Sequence, residues 1–219
     1  MSDVVIFGAG DIARLARFYF STDSEHRVVA FTVDHGYRKA DTFEGLPLVD
    51  FERAEEGYPP DRYAMFIAIS YTGMNRVRAE KYEDARARGY RLVSYVSSRC
   101  TNLAAAPVGD NCFILEDNTI QPFVRIGSDV TLWSGNHIGH DSVIEDHVFI
   151  SSHVVVSGNV RIGAYSFVGV NATLRNGIHV APSTLVGAGA VLMGDTEEGG
   201  VHVPPLSTRL DRKSDTIKL

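Results

Sequence analysis

The chain has 219 residues, of which 44% are hydrophobic and 22% charged, and its formal net charge is −6 at pH 7. These values are typical of a globular protein with one or two domains, and the negative charge disfavours a nucleic-acid backbone as a partner. No apolar run approaches the roughly 18 residues that a membrane-spanning helix needs, and the N-terminus MSDVVIFGAG lacks the basic region of a signal peptide. We therefore expect a cytoplasmic protein without membrane insertion, in which both cysteines, Cys100 and Cys112, are reduced thiols.

Strand-like and helix-like patterns alternate through the first hundred residues. VVIFGAGDIARLARFYF is a hydrophobic strand, a glycine turn and a helical pattern, and VVAFTVD is a second strand ending at Asp34. LPLVD and MFIAIS predict further strands, NRVRAEKYEDARARG predicts a helix, and RLVSYVS closes the segment. This alternation predicts a small Rossmann-like parallel α/β domain over residues 1–100.

The glycine turn of this domain indicates nucleotide binding. Residues 8–13 match G-x-G-x-x-A between a strand and a helix, where Gly8, Gly10 and Asp11 can approach a phosphate. Asp34 ends the second strand, where a carboxylate can bond a ribose hydroxyl. The domain is too short for a complete dinucleotide fold, so a mononucleotide is favoured over NAD, and a merely structural turn is the alternative.

The second half of the chain has a period of six. From Val108 to Leu192, fifteen successive sixth residues are all Val, Ile or Leu, and glycine often follows them. This period predicts a parallel β-helix of about five coils over residues 101–219, with a charged and loosely held tail from Thr208. The glycines are expected where the backbone needs a positive φ or close approach. Asn118 and Asn136 lie one coil apart and are expected to form an internal amide ladder.

Four of the eight histidines fall within LWSGNHIGHDSVIEDHVFISSHVVVSG, residues 132–158. All four occupy positions that should face solvent or a neighbouring subunit: His137, His140, His147 and His153. No two are eighteen residues apart, so none stack as metal ligands on adjacent coils, although ligands from two subunits remain an alternative. His140 followed by Asp141 favours a general base oriented by an acid, against the alternative of a solvated corner. Trp133 is either a subunit-interface anchor or a wall for a sugar or base ring.

The order of VVIFGAGDIA and VVAFTVD before GHDSVIEDHVFISSHVVVSGNVRIG resembles the bacterial sugar acetyltransferases of the NeuD/PglD type, over about residues 3–205. The resemblance implies a left-handed β-helix and a homotrimer. It implies acetyl-CoA as co-substrate in the cleft between neighbouring helices, without a metal. It also implies that the α/β domain holds a nucleotide-linked amino sugar, with UDP, dTDP and GDP all open.

The resemblance also assigns roles to residues. His140 becomes the catalytic base and Asp141 its acidic neighbour. The expected substrate contacts are Gly8, Gly10, Asp11, Asp34, Tyr71 in the loop SYTGMNRVR, Trp133 and Asn136. Gly158 and Ala188 are expected to line the CoA groove. The chain departs from the family at Phe149, where many members have a second histidine, and in VHVPPLSTR near the C-terminus.

With the resemblance, the sequence predicts an N-acetyltransferase of surface-glycan biosynthesis, as the family implies, that transfers the acetyl group directly to the sugar amine. Three alternatives stay open. The first is an O-acetyltransferase acting on a sugar hydroxyl. The second is a metal-dependent trimer of the γ-carbonic-anhydrase kind. The third is a non-catalytic scaffold that binds a nucleotide.

Overall fold

The structure is a computed structural model that describes residues 2–209, 211 and 213. It contains an α/β domain followed by a left-handed parallel β-helix, as the sequence predicts. Across this described part, no helix combines the length and apolar character needed to cross a bilayer. The predicted loose tail from Thr208 lies mostly outside the described residues.

One mixed sheet with flanking helices forms the α/β domain. Its elements are β1 Asp3–Phe7, α1 Asp11–Thr22, β2 Arg27–Val33, β3 Thr42–Phe43, β4 Leu46–Asp50, α2 Ala54–Gly57, β5 Tyr63–Ile67, α3 Arg76–Ala87 and β6 Arg91–Leu92, with short 3-10 turns at His35–Tyr37 and Phe51–Arg53. The strand order is β3-β4-β2-β1-β5-β6, and only the β3–β4 pair is antiparallel. Chain connections diverge on the two sides of β1, and such a point opens a crevice at the carboxyl ends of the strands.

The central strand explains why this sheet forms. Val4, Val5 and Ile6 are fully buried, as expected for a parallel strand covered on both faces. Helix α1 buries Ala13, Ala16 and Phe20, one stripe at helical spacing.

The β-helix consists of two-residue strands arranged on three faces. The first face contains Tyr95–Val96, Phe113–Ile114, Thr131–Leu132, Phe149–Ile150, Phe167–Val168, Leu185–Val186 and Val201–His202. The second face contains Thr101–Asn102, Thr119–Ile120, His137–Ile138, Val155–Val156, Thr173–Leu174 and Val191–Leu192. The third face contains Arg125–Ile126, Val143–Ile144, Arg161–Ile162 and His179–Val180. Thr131 pairs with Phe149, so one coil takes eighteen residues, and the aliphatic slot fills the interior.

A left-handed backbone conformation turns the chain at each corner. From residue 111 to residue 189, every sixth residue has a φ between +51° and +77°. The first corner joins the third face to the first and contains Asn111, Asp129, His147, Tyr165 and Ser183. The second corner contains Asp117, Gly135, His153, Asn171 and Gly189. The third corner contains Phe123, Asp141, Asn159 and Gly177. Most of these are Asn, Asp or Gly, the residues that tolerate this conformation best.

The glycines that follow the aliphatic slot serve close approach and do not take a positive φ. A Cβ built on Gly139 would lie 2.5 Å from the backbone nitrogen of Gly158 on the next coil. Only glycine lets adjacent coils stack at this position.

The predicted amide ladder is present inside the β-helix. The Asn136 backbone N–H donates to Asn118 Oδ1 at 3.3 Å, and Asn136 Oδ1 accepts from the Val154 N–H at 2.8 Å. The Asn136 side-chain amide donates to the carbonyl oxygen of Trp133. Asn136 is 1% exposed, so its predicted role beside the substrate is wrong, because both ends of its amide are used inside the helix.

The β-helix begins earlier than the boundary predicted at residue 101. Arg91–Leu92 completes the α/β sheet, whereas Tyr95–Val96 already pairs in parallel with Phe113–Ile114. The segment RLVSYVS, expected to close the first domain, is therefore divided between the two units.

Candidate active site

His140 and Asp141 form a hydrogen-bonded pair on the third corner. His140 Nδ1 lies 2.8 Å from Asp141 Oδ2, and the two side chains are 53% and 50% exposed. A carboxylate only accepts, so Nδ1 carries the hydrogen, and in the neutral form of the ring Nε2 has the lone pair. Nε2 makes no hydrogen bond to any described residue. A neutral imidazole that is oriented in this way and has a nitrogen without a hydrogen-bond partner can remove a proton from a substrate.

Gly158 provides the surface on which the His140 ring lies. A Cβ built on Gly158 would be 2.6 Å from His140 Nε2, so any larger residue would meet the ring. Within the described part of the chain, the Gly158 N–H donates no hydrogen bond. The predicted partners His140, Asp141 and Gly158 are thus brought together at one corner.

Gln121 fixes the backbone of His140. The His140 N–H donates to Gln121 Oε1 at 2.8 Å, and the His140 carbonyl accepts from the Asn159 N–H at 2.8 Å. A role for Gln121 was not predicted from the sequence. The available signal was its place next to an aliphatic slot, where glycine is common, one coil before the His140 turn.

The remaining histidines of the cluster are dispersed. His137 is partly buried on the second face, and His153 is exposed on the second corner above Gly135. His147 is 8% exposed, so the prediction that it faces solvent is wrong. Its Nδ1 lies 2.9 Å from buried Asp129, and its ring stacks on Tyr165 beneath helix α3. No three His, Cys, Asp or Glu side chains of the described residues are grouped as metal ligands.

A cleft of about 600 Å³ opens at the carboxyl ends of β1, β2 and β5. Its wall includes Gly10, Asp34, Tyr37, Lys39, Thr72 and Lys81. This is the crevice beside β1 where parallel α/β sheets bind ligands. The cleft therefore has the position of a ligand site, with Lys39 and Lys81 as cations and Asp34 and Glu80 as carboxylates in its wall.

The three predicted residues of the glycine turn behave differently. Gly10 caps the N-terminus of α1 without a side-chain hydrogen bond, and an added Cβ would meet nothing within 4 Å, so a ligand can approach these amides. Gly8 is buried, and its Cβ would lie 2.8 Å from the Ala68 carbonyl oxygen, so the fold itself requires it. Asp11 is exposed, pairs with Arg14 and is not part of the cleft wall.

Asp34 forms a salt bridge with Lys81, a residue to which the sequence assigned no role. Lys81 Nζ lies 2.9 Å from Asp34 Oδ1 and 3.5 Å from Asp84 Oδ2. Burial alone would lower the pKa of Lys81, but the hydrogen bond and charge of Asp34, with the charge of Asp84, raise it. Lys81 is therefore a fixed cation in the cleft, beside the carboxylate predicted for the ribose.

An aromatic cluster joins the loop of residues 70–75 to the first face. The Tyr71 ring centroid lies 5.1 Å from that of Phe149 and 4.7 Å from that of Phe167. Trp133 lies 6.4 Å from Phe149 and packs against the core of the α/β domain. Phe149, the departure from the family pattern, is thus buried as a packing residue between the two units.

Gly158 and Ala188 lie on different corners of one chain. Gly158 precedes Asn159 of the third corner, whereas Ala188 precedes Gly189 of the second corner. The structure therefore places the two residues predicted for the CoA groove on different edges of the β-helix.

Neither cysteine has the character of a nucleophile. Burial raises the pKa of the Cys100 thiol to about 11 and that of the Cys112 thiol to about 12. Both thiols pack with the interior cluster of the β-helix, away from the exposed corner of His140.

Comparison with known proteins confirms the resemblance and the fold. Residues 126–158 and 141–176 match the bacterial transferase hexapeptide family (six repeats). The acetyltransferase domain of PglB from Neisseria gonorrhoeae superposes with a TM-score of 0.80 at 21% identity, covering 94% of this chain and 100% of that chain. Perosamine N-acetyltransferase from Caulobacter crescentus, in complex with CoA and GDP-perosamine, superposes with a TM-score of 0.62 at 23% identity, covering 92% and 93%.

A curated relative shares only part of the chain. Acyl-[acyl-carrier-protein]–UDP-N-acetylglucosamine O-acyltransferase from Burkholderia lata is 26% identical over 90 residues, 41% of this chain and 32% of the relative. A Burkholderia mallei protein of the same description is 25% identical over 115 residues and is covered to 41%. The chain thus spans well under half the length of these relatives.

Proposed function

We propose that this chain is an acetyl-CoA-dependent N-acetyltransferase that acts on the amino group of a nucleotide-linked amino-deoxysugar. The observation that carries the proposal is the His140 imidazole, oriented by Asp141 and lying with Nε2 free above Gly158. The cleft at the carboxyl ends of β1, β2 and β5 supplies a place for the nucleotide. Structural neighbours named as acetyltransferases and solved with acetyl-CoA, or with CoA and GDP-perosamine, support this substrate pair.

The proposed reaction is a direct transfer. The sugar amine attacks the thioester carbonyl carbon while His140 Nε2 takes its proton, and Asp141 stabilises the resulting imidazolium. In this reaction the Gly158 N–H, which has no partner among the described residues, donates to the developing oxyanion. The carbon–sulfur bond then breaks, and the proton passes to the departing thiolate. The products are the N-acetyl sugar and free CoA.

The two halves of the proposed site are on different sides of one chain. The cleft is formed by elements that pack on the first corner and first face, whereas His140 is on the third corner. We propose a homotrimer, in which the third corner of one copy meets the cleft of its neighbour. Gly158 and Ala188 would then line a shared groove for acetyl-CoA.

A hydroxyl acceptor is the second candidate. It is favoured by the curated relatives, whose names describe O-acyltransferases acting on UDP-N-acetylglucosamine. Hydroxylamine distinguishes the two products, because it cleaves an ester and leaves an amide intact. An acetylated product that loses its acetyl group under hydroxylamine would replace the N-acetyltransferase with this alternative.

The test is thiol release from acetyl-CoA with a panel of UDP-, dTDP- and GDP-linked 3-amino and 4-amino deoxysugars, with the metal content of the protein measured in parallel. Fast release with one sugar, and a product heavier by one acetyl group, are expected. Absence of release with every sugar, together with a stoichiometric metal ion, would overturn the proposal in favour of a metal-dependent trimer. We propose a cytoplasmic role in surface-glycan biosynthesis for the acetylated sugar.

A further inference from the structure

A buried ion pair joins helix α3 to the first corner of the β-helix, away from His140. Arg78 is 2% exposed and Asp129 is fully buried. Arg78 Nε lies 3.1 Å and 3.0 Å from the two Asp129 carboxylate oxygens, and Nη2 donates to the Asp129 carbonyl at 2.9 Å. Asp129 also accepts from the Asn111 amide at 2.7 Å and lies 2.9 Å from His147 Nδ1. The carboxylate is therefore contacted from three sides.

Two sides of helix α3 make different contacts. Val77, Glu80 and Lys81 belong to the wall of the nucleotide cleft. Arg78 and Tyr82 face the β-helix instead, and the Tyr82 hydroxyl donates to Asp110 Oδ1 at 2.6 Å. Both sets of residues belong to one helix. The position at which α3 packs on the β-helix therefore determines the position of the cleft.

On a repetitive β-helix, apolar packing alone does not define the coil against which helix α3 packs. Successive coils repeat the same corner about every 4.8 Å, so apolar packing alone distinguishes poorly between neighbouring coils. The first corner offers one carboxylate among its five residues, and that is Asp129. The Arg78 Nε donates to this carboxylate, whereas the other four corner residues, Asn111, His147, Tyr165 and Ser183, have no carboxylate to offer the guanidinium.

Energetics favours the same interpretation. Burying an arginine and an aspartate gains little stability over well-packed apolar side chains, and buried polar pairs are best attested as determinants of register. Arg78 Nη1 makes no hydrogen bond to the described residues, which adds to the cost of burial. A role in setting the position of α3 on the β-helix explains the pair better than a role in stabilising the fold.

The pair lies at the height of the proposed base. Asp129 and Asp141 are corner residues of the same eighteen-residue coil, two hexads apart. In the proposed trimer, a shift of α3 by one coil would move the cleft by about 4.8 Å along the β-helix axis relative to the His140 contributed by a neighbouring copy. Misplacement of reacting groups by about 1 Å already costs about 10²-fold in rate.

We propose that Arg78 and Asp129 form a register pin, which sets the position of the nucleotide cleft along the β-helix axis so that the sugar amine reaches the level of His140. Both are positioning residues and touch no substrate. The inference rests on the proposed function for its catalytic consequence, although the pin itself is a property of the fold.

The test is the double variant Arg78→Met/Asp129→Asn, which removes both charges and leaves neither unpaired, and in which Asn keeps the left-handed corner. The control is Arg76→Met, on the same helix, whose guanidinium lies over Tyr165 and contacts Ser183 at the surface. Affinity for UDP, dTDP and GDP, measured by calorimetry, should stay within about threefold of wild type in both variants. The kcat for acetyl transfer should fall by at least about tenfold in the double variant only, with KM for acetyl-CoA unchanged.

Two results would overturn the pin. One is a folded double variant with wild-type kcat. The other is loss of nucleotide affinity in proportion to kcat, which would show a damaged α/β domain and no loss of register.

Hydrogen exchange separates this inference from the proposed function. Amides of residues 71–82 should exchange at least about tenfold faster in the double variant, with little change in melting temperature, whatever reaction the wild type catalyses. Unchanged exchange would contradict the pin even if acetyl transfer is confirmed. Faster exchange in a protein that acetylates no sugar would retain the pin and reject the acetyltransferase.

Discussion

Asp141 meets two separate requirements. Its backbone has a φ of +59° at the third corner, and its carboxylate lies 2.8 Å from His140 Nδ1. Asparagine tolerates the same backbone conformation but carries no charge to stabilise an imidazolium. A change to asparagine therefore separates the contribution of the residue to the fold from its contribution to the chemistry.

We expect Asp141→Asn to lower kcat by about 10- to 10²-fold, the usual contribution of a group assisting acid–base catalysis, without a change in melting temperature. The matched control is Asp117→Asn at the second corner, where φ is +60° and no histidine lies beside the carboxylate. Steady-state rates and thermal unfolding measure the two effects. Equal rates for Asp141→Asn and wild type would remove the acid from the mechanism.

Gly158→Ala should displace the base. The new methyl group would lie 2.6 Å from His140 Nε2, so the exposed ring must swing aside. We expect kcat to fall while stability changes little, because the clash is with the end of an exposed side chain. Gly194→Ala is the control, since its Cβ would meet nothing within 4 Å. If Gly158→Ala transfers acetyl groups as fast as Gly194→Ala, the ring does not act from this position.

Asp23 should make the stability of the protein depend on acid pH. Hydrogen bonds from Ser98 and from the Tyr95 hydroxyl lower the pKa of Asp23 from 3.8 to about 2. A lowered folded pKa means that the stabilisation is complete above about pH 4 and is lost as the pH falls towards 2. In urea unfolding, wild type should exceed Asp23→Asn by a constant margin from pH 7 to about pH 5, and the margin should shrink near pH 3. A constant margin at low pH would contradict this assignment.

At the scale of elements, Asn136→Ala tests the interior ladder. The substitution leaves the Val154 N–H without its side-chain acceptor inside the β-helix. We expect a loss of about 1–3 kcal/mol in unfolding free energy, with KM for both substrates unchanged. A raised KM for the sugar without loss of stability would return Asn136 to the substrate site.

The coil structure could be predicted because each hexad carries its own signal. The aliphatic slot from Val108 to Leu192 requires no contact beyond the neighbouring coil, and Asn118 and Asn136 were placed in the ladder from their spacing alone. The preference for Asn, Asp and Gly at the corners is also visible in the sequence, three residues after each aliphatic slot.

The contacts between the two units could not be predicted in this way. His147 has the same hexad position as exposed His153, and only the arrival of α3, from a segment some 70 residues earlier, buries it. The packing of Phe149 between the two units and the pairing of Lys81 with Asp34 could not be predicted for the same reason. Their surroundings are formed by segments distant in the chain, which no local period reveals.

For the molecule as a whole, we expect Lys81 in the proposed nucleotide cleft to contribute to the affinity for the nucleotide sugar. Lys81 presents a cation to the cleft, so Lys81→Met should weaken nucleotide-sugar binding by about tenfold or more, the contribution of a charge-assisted hydrogen bond, with kcat at saturation retained. Arg86→Met, also on α3 but outside the cleft wall, is the control. Calorimetry with the nucleotide sugar measures the effect. Equal affinities for the two variants would place the nucleotide elsewhere.

The most direct test of the account is the rate of thiol release from acetyl-CoA, with saturating nucleotide-linked amino sugar, for wild type, His140→Ala and His153→Ala. His153 is an exposed histidine of the same stretch on another corner, so it controls for loss of a surface imidazole. The account predicts that His140→Ala turns over about 10²-fold more slowly or worse, that His153→Ala matches wild type, and that all three have the same oligomeric state. Wild-type turnover by His140→Ala would contradict the assignment of His140 as the general base.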